Sequence, residues 1–367
     1  MVVVTQRALQ PGQRIRVLVV DDSAVIRRLV AHALEADPGI EVVGSASNGA
    51  IALERIPQLN PDVVTLDIEM PEMDGLETLR RIRGQYPRLR IIMFSTLTER
   101  CASATLEALT LGADDYVTKV SNEGSFERSL ARLREDLIPK IRQFFCRPQM
   151  PAPQASLAAA ATPARQAAPV TGHWKASSRV VVIGASTGGP AALGAILPAL
   201  PAGFPLPVLV VQHMPPLFTR FLAERLQATC RLPVEEACQA APVEPGKILI
   251  APGDYHLRVV SSGGAVRTQL DQSPPQNFCR PAVDALFTSV GEVYGGAAIA
   301  VILTGMGQDG LRGTQILKAQ GATVLAQDEA SSVVWGMPGA VANAGLADRI
   351  VPLDGVAQEI VRLAGQS

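Results

Sequence analysis

The chain has 367 residues, 47% of them hydrophobic and 18% charged, with a net charge of −1. That length suits about two or three domains of an ordinary soluble globular protein, and the near-neutral charge argues against an extended nucleic-acid surface. No apolar run approaches the roughly 18 residues of a membrane span and the first residues lack a signal-peptide core, so a cytoplasmic protein is expected. The five cysteines, at 101, 146, 230, 238 and 279, are odd in number and form no Cys-x-x-Cys pair, which argues against disulfides and zinc.

Residues 15–20, Ile-Arg-Val-Leu-Val-Val, read as a strand that runs into Asp21-Asp22-Ser23, with an amphipathic helix to Ala36. Further strands are predicted over 41–45, 62–66, 90–94 and 116–118. Helices are predicted over 48–58, after Asp74-Gly75, before Gly112 and over 125–144. Five such βα units predict a doubly wound parallel sheet. The chemistry-bearing residues stand at strand ends. Asp21 and Asp22 follow the first strand and Asp67 the third, so their carboxylates meet at the carboxyl edge of the sheet. Three carboxylates there suit a hard divalent cation, typically Mg²⁺. Lys119 ends the fifth strand, where it can pair with a phosphorylated carboxylate, and Ser95 offers it a hydroxyl. Asp22-Ser23 also fits a plain helix cap.

This segment resembles the response-regulator receiver domain over its whole length. The resemblance rests on Val19-Val-Asp-Asp-Ser23, Leu66-Asp-Ile-Glu-Met-Pro71 with Asp74-Gly75, Phe94-Ser95, Gly112-Ala113 and Tyr116-Val-Thr-Lys119. It implies a flavodoxin-like fold with Asp67 as phosphoacceptor. It also implies Mg²⁺ held by Asp21, Asp22, Asp67 and the backbone carbonyl of Glu69. Ser95, Tyr116 and Lys119 become the switch residues. The family lysine is usually followed by proline. Here Val120 follows, and a different loop shape is expected after the fifth strand.

Pro148 to Pro169 is rich in proline and alanine, with almost no charge. It cannot build a core and reads as a tether. The expected organisation is a first domain over 14–143, a linker over 144–178 and a second domain over 179–367.

In the second domain strands are predicted over 180–183, 207–211, 247–250, 256–260, 297–302 and 322–326. Helices are predicted over 189–199, 217–228, 281–293, 310–319, 336–344 and 355–364. This is a second doubly wound α/β unit, with an inserted hairpin turning at Gly263-Gly264. Gly184-Ala-Ser186-Thr-Gly188 fits the nucleophile-elbow pattern between strand and helix, and equally a phosphate cradle or a bare βα turn. His213 and Asp309 also follow buried strands. If those strands neighbour one another, Ser186, His213 and Asp309 converge as an acyl-transfer triad, and the glycines admit backbone N–H groups to an oxyanion. Asp309 also fits an N-cap for helix 310–319, and His213 a strand-end histidine. His256 reads as structural, and His32 and His173 carry no role; Cys279 is a candidate thiol nucleophile with no histidine near it in sequence, so it reads by default as a small buried thiol.

Ile183-Gly-Ala-Ser-Thr-Gly-Gly189, Gln212-His-Met-Pro215, Ala251-Pro-Gly-Asp-Tyr-His-Leu257 and Leu303-Thr-Gly-Met-Gly-Gln-Asp-Gly310 resemble the catalytic domain of CheB-type protein-glutamate methylesterases. So do Ala326-Gln-Asp-Glu-Ala-Ser331 and Gly336-Met-Pro338. The resemblance implies a Rossmann-like hydrolase domain with Ser186, His213 and Asp309 as triad. The Met306 amide is then an oxyanion donor, with Thr187 beside the nucleophile and no cofactor in this domain. It implies demethylation of glutamate γ-methyl esters and deamidation of glutamines on chemoreceptor cytoplasmic helices. It further implies a CheA-type histidine kinase as phosphodonor, a monomer, no nucleic acid and no membrane insertion. Two other classes fit the sequence less well. A nucleotide-binding module would need a Walker lysine after Gly188-Gly189, and none follows. A DNA-binding output fails on charge and on the lack of a helix-turn-helix signal. The unphosphorylated receiver is expected to cover the approach to Ser186 with its fifth strand and last helices.

Overall fold

The computed structural model describes residues 12–96, 98–119, 126–145 and 179–365. The tether, the loop after Lys119 with Val120, Cys146 and His173 lie outside the described residues.

The first half builds five strands: β1 (Ile15–Val20), β2 (Ile40–Ala46), β3 (Val63–Asp67), β4 (Arg90–Ser95) and β5 (Asp115–Thr118). They alternate with α1 (Ala24–Leu34), α2 (Gly49–Leu59), α3 (Gly75–Gln85), α4 (Glu99–Thr110) and α5 (Phe126–Arg142). The sheet order is β2-β1-β3-β4-β5, parallel throughout. Strands covered on both faces need continuous apolar runs rather than alternation, and all five residues of β3 are buried. The first four helices start on side-chain caps. Ser23, Asn48, Asp74 and Thr98 accept from the backbone N–H of Ile26, Ile51, Glu77 and Cys101, each cap contributing about 1 kcal/mol. Phe144 and Phe145, just past α5, still pack on this half, and the Arg90 guanidinium lies over the Phe144 ring.

The second half contains β6 (Val180–Ala185), α6 (Gly189–Ile196), β7 (Val208–Gln212), α7 (Phe218–Thr229), β8 (Val234–Glu236), β9 (Ile248–Ile250), β10 (His256–Ser262) and β11 (Ala265–Asp271). It continues with α8 (Val283–Tyr294), β12 (Ala298–Ile302), α9 (Leu311–Ala319), β13 (Thr323–Gln327), α10 (Met337–Asn343), β14 (Arg349–Val351) and α11 (Leu353–Ala364). Seven parallel strands run in the order β14-β13-β12-β6-β7-β9-β8, and β10 and β11 form a separate antiparallel hairpin. Strands β8 and β14, three residues each, are the two elements the sequence pattern did not reveal. The central strands β6 and β12 are wholly buried. Each large aliphatic side chain so buried contributes roughly 1.5–3 kcal/mol.

The chain leaves β6 towards β7 on one side and returns to β12 on the other. That reversal makes the carboxyl ends of β6, β7 and β12 the natural place for a site.

The two halves are packed together. One apolar cluster runs from Leu106, Leu109 and Tyr116 of the first half into Leu193, Phe218 and Leu222 of the second. Within it the rings of Tyr116 and Phe218 stack with centroids 4.9 Å apart and planes 8° from parallel. At the edge Arg220 pairs with Glu99 at 2.6 Å, an exposed contact of small energetic weight.

Candidate active site

Strand β6 delivers Ser186 to the sheet edge, and the turn that follows is pinned from three sides. The Ser186 N–H donates to the Thr304 carbonyl (3.0 Å), the Gln212 side-chain amide donates to the Ser186 carbonyl (3.0 Å), and the Thr304 hydroxyl donates to the Thr187 carbonyl (2.9 Å). Gly188 enters α6 with φ at +78°, a left-handed conformation that glycine adopts without strain, and no side chain caps the helix. The first N–H of α6, that of Gly189, donates to the Ser186 carbonyl (2.7 Å), and Pro190 has no N–H to leave unpaired. Gly305 is needed for close approach, because a Cβ there would lie 2.8 Å from the Ser186 Cβ.

His213 follows β7 and Asp309 follows β12, the two strands that flank β6. Their side chains meet, with His213 Nε2 2.8 Å from Asp309 Oδ2. Asp309 does not cap α9, where Gly310 holds the N-cap position. Instead it accepts from the backbone N–H of Val283 (2.6 Å) and Asp284 (3.1 Å) at the start of α8, and from the Asn277 side-chain amide (2.9 Å). Burial works against its charge, but the His213 contact and these N–H donors outweigh it and hold the Asp309 carboxyl below the usual range. Burial likewise disfavours the His213 imidazolium, and its hydrogen bonds to Asp309 and Cys279 overcome that, so its pKa is raised.

Ser186, His213 and Asp309 line one cavity of about 410 Å³, together with Met306, Phe278 and Cys279. The Ser186 hydroxyl forms no hydrogen bond among the described residues. The remaining His213 nitrogen, Nδ1, faces the Cys279 thiol at 3.5 Å. The sequence brings these two residues together nowhere; they are 66 positions apart. His256 is fully buried, accepts from the Ala282 N–H and points its other nitrogen to the Pro274 carbonyl, which is a structural role.

The same cavity is walled on its other side by Leu109, Asp115, Tyr116, Glu135, Asp136 and Lys140 of the first half. The Thr187 hydroxyl, beside Ser186, donates to Asp115 Oδ2 at 2.7 Å. The face made by α4, β5 and α5 thus covers the mouth of the Ser186 cavity.

At the carboxyl edge of the first sheet Asp21, Asp22 and Asp67 each place a carboxylate oxygen within 4.8 Å of the others. Lys119 Nζ lies 2.8 Å from Asp21 Oδ2 and 2.7 Å from Asp67 Oδ2. Burial is the main reason the Asp67 pKa rises to about 6, and Lys119 only partly offsets it. Asp21 Oδ2 is buried, with the Lys119 ammonium against it. Ser95 is turned away from this cluster. Its hydroxyl accepts from the Thr105 hydroxyl (2.8 Å) and faces the Cys101 carbonyl (3.4 Å), both in α4.

Known proteins resemble both halves of the chain. The sequence model of the response regulator receiver domain matches residues 17–131, and that of CheB methylesterase matches residues 181–360. A protein-glutamate methylesterase/protein-glutamine glutaminase of Trichodesmium erythraeum is 52% identical over 352 residues, which are 96% of this chain and 99% of that one. One from a Nocardioides species is 54% identical over 96% of this chain and 95% of its own. The chain belongs to the CheB methylesterase family. Among solved structures, the Thermotoga maritima CheB methylesterase catalytic domain matches 51% of this chain and 100% of its own length, with 47% identity and a TM-score of 0.50.

As in the sequence reading, this CheB chain has two α/β parallel-sheet domains, a receiver and a catalytic domain with a hairpin. No helix among the described residues is long and apolar enough to cross a membrane. The residues the sequence did not single out are those that hold others: Thr304, Gln212 and Asn277. Gln212 was visible only as the neighbour of His213. Asn277 was visible only as the first residue of a family-like segment over 277–284, with no role, because its partners Asp284 and Asp309 lie 7 and 32 positions away.

Proposed function

We propose that this CheB chain is a phosphorylation-activated serine hydrolase that demethylates glutamate γ-methyl esters on chemoreceptor cytoplasmic helices and deamidates receptor glutamines, in chemotactic adaptation. Ser186 is the nucleophile, His213 the base and Asp309 its orienter. With Nε2–H donating to Asp309, Nδ1 is the nitrogen that takes the Ser186 proton, turning from Cys279 to do so. The Ser186 Oγ attacks the ester carbonyl, and the oxyanion is received by the Met306 and Thr187 N–H groups, neither of which is engaged among the described residues. His213 returns the proton as methanol leaves, and water then releases glutamate from the acyl-enzyme. For glutamine the same proton goes to the leaving amide nitrogen, which departs as ammonia. The observation that carries the reading is the His213–Asp309 bond in the cavity that holds Ser186.

Asp67 is the phosphoacceptor, fed by a CheA-type kinase. Three carboxylates gathered within 4.8 Å, only two of them paired with Lys119, and an Asp67 pKa raised to about 6 by burial suit a hard divalent cation. Asp21, Asp22, Asp67 and the backbone carbonyl of Glu69 would hold Mg²⁺. Bound there, Mg²⁺ supplies charge neutralisation to the incoming phosphoryl group. Ser95 then leaves Thr105 for the phosphoryl oxygens, with Lys119 as its counter-ion. The shift of α4 and β5 removes Tyr116 from Phe218 and uncovers Ser186. The domain division and the tether over 144–178 complete this reading, since a short linker keeps the receiver at high local concentration.

Its test is methanol release from methylated receptor. The reading expects Ser186→Ala to abolish release while leaving the melting temperature unchanged. Near-native turnover by Ser186→Ala would sink it.

A further inference from the structure

Residues 276–279 form a tight turn on the rim of the Ser186 cavity. Gln276 and Cys279 exchange two backbone hydrogen bonds, at 3.1 and 2.8 Å. The two residues between them, Asn277 and Phe278, have φ of +50° and +64°. Two successive left-handed residues make a primed hairpin turn, whose usual occupants are Asn and then Gly. Asn277 obeys that preference. Phe278 does not, and a bulky residue with positive φ is strained.

The strain is held in place by the catalytic framework. The Asn277 amide donates to both Asp284 and Asp309, at 2.9 Å each. The Cys279 thiol abuts His213, and the Arg280 side chain clamps Asp254. The turn is therefore rigidly registered to the triad, yet the ring it carries is 104% exposed, the most exposed large apolar side chain among the described residues. The receiver covers the cavity from the α4, β5 and α5 side and leaves Phe278 in water. Met306, 40% exposed, stands on the same cavity. A lone exposed apolar side chain needs no explanation. One kept on a strained turn beside a nucleophile does, since strain that the surroundings over-determine gathers at functional sites.

We infer that Phe278 is a substrate-docking residue: its ring packs on the apolar side chains of the receptor helix about one turn from the glutamyl ester that enters the cavity. The inference rests on the methylesterase reading. A glutamyl side chain reaching Ser186 leaves its own helix outside the cavity mouth, so the rim must meet the helix surface. Neighbours on that surface stand three and four residues from the esterified position. An aromatic ring and a thioether ask for no hydrogen bond, so one rim serves several modification sites of different sequence.

The experiment compares two substrates on the full chain, treated with Mg²⁺ and acetyl phosphate. One is methylated receptor cytoplasmic fragment; the other is p-nitrophenyl acetate, too small to touch the rim. For Phe278→Gly the expected result is a KM for receptor raised about tenfold or more, as for a truncated aromatic anchor, with kcat little changed. Hydrolysis of p-nitrophenyl acetate should stay within about twofold of wild type, and the melting temperature should hold or rise as strain is relieved. Phe278→Leu should recover part of the receptor KM. A parallel loss on both substrates would make the turn a support for the triad and overturn the proposal, as would an unchanged receptor KM. If wild type released p-nitrophenol but no methanol from receptor, the methylesterase reading itself would fall, and the docking role with it.

Discussion

Tyr116 of the receiver lies flat on Phe218 of the catalytic domain, 4.9 Å between ring centroids. Both rings are buried, and Lys140 Nζ sits 5.0 Å from the Tyr116 centroid. Stacked pairs are worth about 0.5–1.5 kcal/mol beyond the area they bury. Tyr116→Ala should loosen the cover and raise basal methanol release by roughly tenfold without any phosphodonor. An unchanged basal rate would remove this stack from the regulation.

Lys119 bridges Asp21 and Asp67 at 2.8 and 2.7 Å. Lys119→Ala should still take phosphate from acetyl phosphate but should not be activated by it. Phosphate incorporation and methanol release on the same sample decide the matter. Normal activation would take Lys119 out of the switch.

The His213–Asp309 pair sets the pH dependence. The His213 pKa is raised, so its contribution to stability is complete below the unfolded value of about 6.5 and is lost as pH climbs through the folded value. The Asp309 pKa is lowered, so its contribution is present above about 3.9 and is lost as pH falls through the folded value. Turnover needs neutral imidazole and should rise along the acid limb. Asp309→Asn removes the charge that raises His213. Its acid limb should move to lower pH, while the maximal rate falls by on the order of a thousandfold or more. A limb that stayed in place would mean Asp309 does not govern the base.

Cys279 is partly exposed in the cavity, 3.5 Å from His213 Nδ1. Cys279→Ala should keep most of the turnover, because the thiol has no step to perform. N-ethylmaleimide should nevertheless inactivate wild type, by filling the space Nδ1 needs, and should spare the variant. Inactivation of both alike would mean the reagent acts at another cysteine.

The parallel strands were legible because burial on both faces leaves runs such as Val180-Val-Val-Ile183, and the helix starts because Asn48 and Asp74 cap visibly. Strands β8 and β14 are too short to show a period. Strand order was not legible: whether Ser186, His213 and Asp309 converge depended on β6 lying between β7 and β12, a property of the sheet and not of any segment. Asp309 fitted a cap of α9 in the sequence; it instead accepts from the first N–H groups of α8, whose N-terminus only the fold brings near. Ser95 illustrates the opposite limit. Its place at the end of β4 was readable, while the direction of its hydroxyl, towards Thr105 of α4, is set by packing.

The central claim is that Ser186 is a nucleophile kept covered by the receiver until Asp67 is phosphorylated. Labelling of the full chain by a serine-directed phosphonate, followed by peptide mass spectrometry, tests it most directly. The account predicts label on Ser186 alone, slow in the resting protein, faster with Mg²⁺ and acetyl phosphate, and unresponsive to them in Asp67→Asn. Label on another residue, or a Ser186 rate indifferent to phosphorylation, would contradict it.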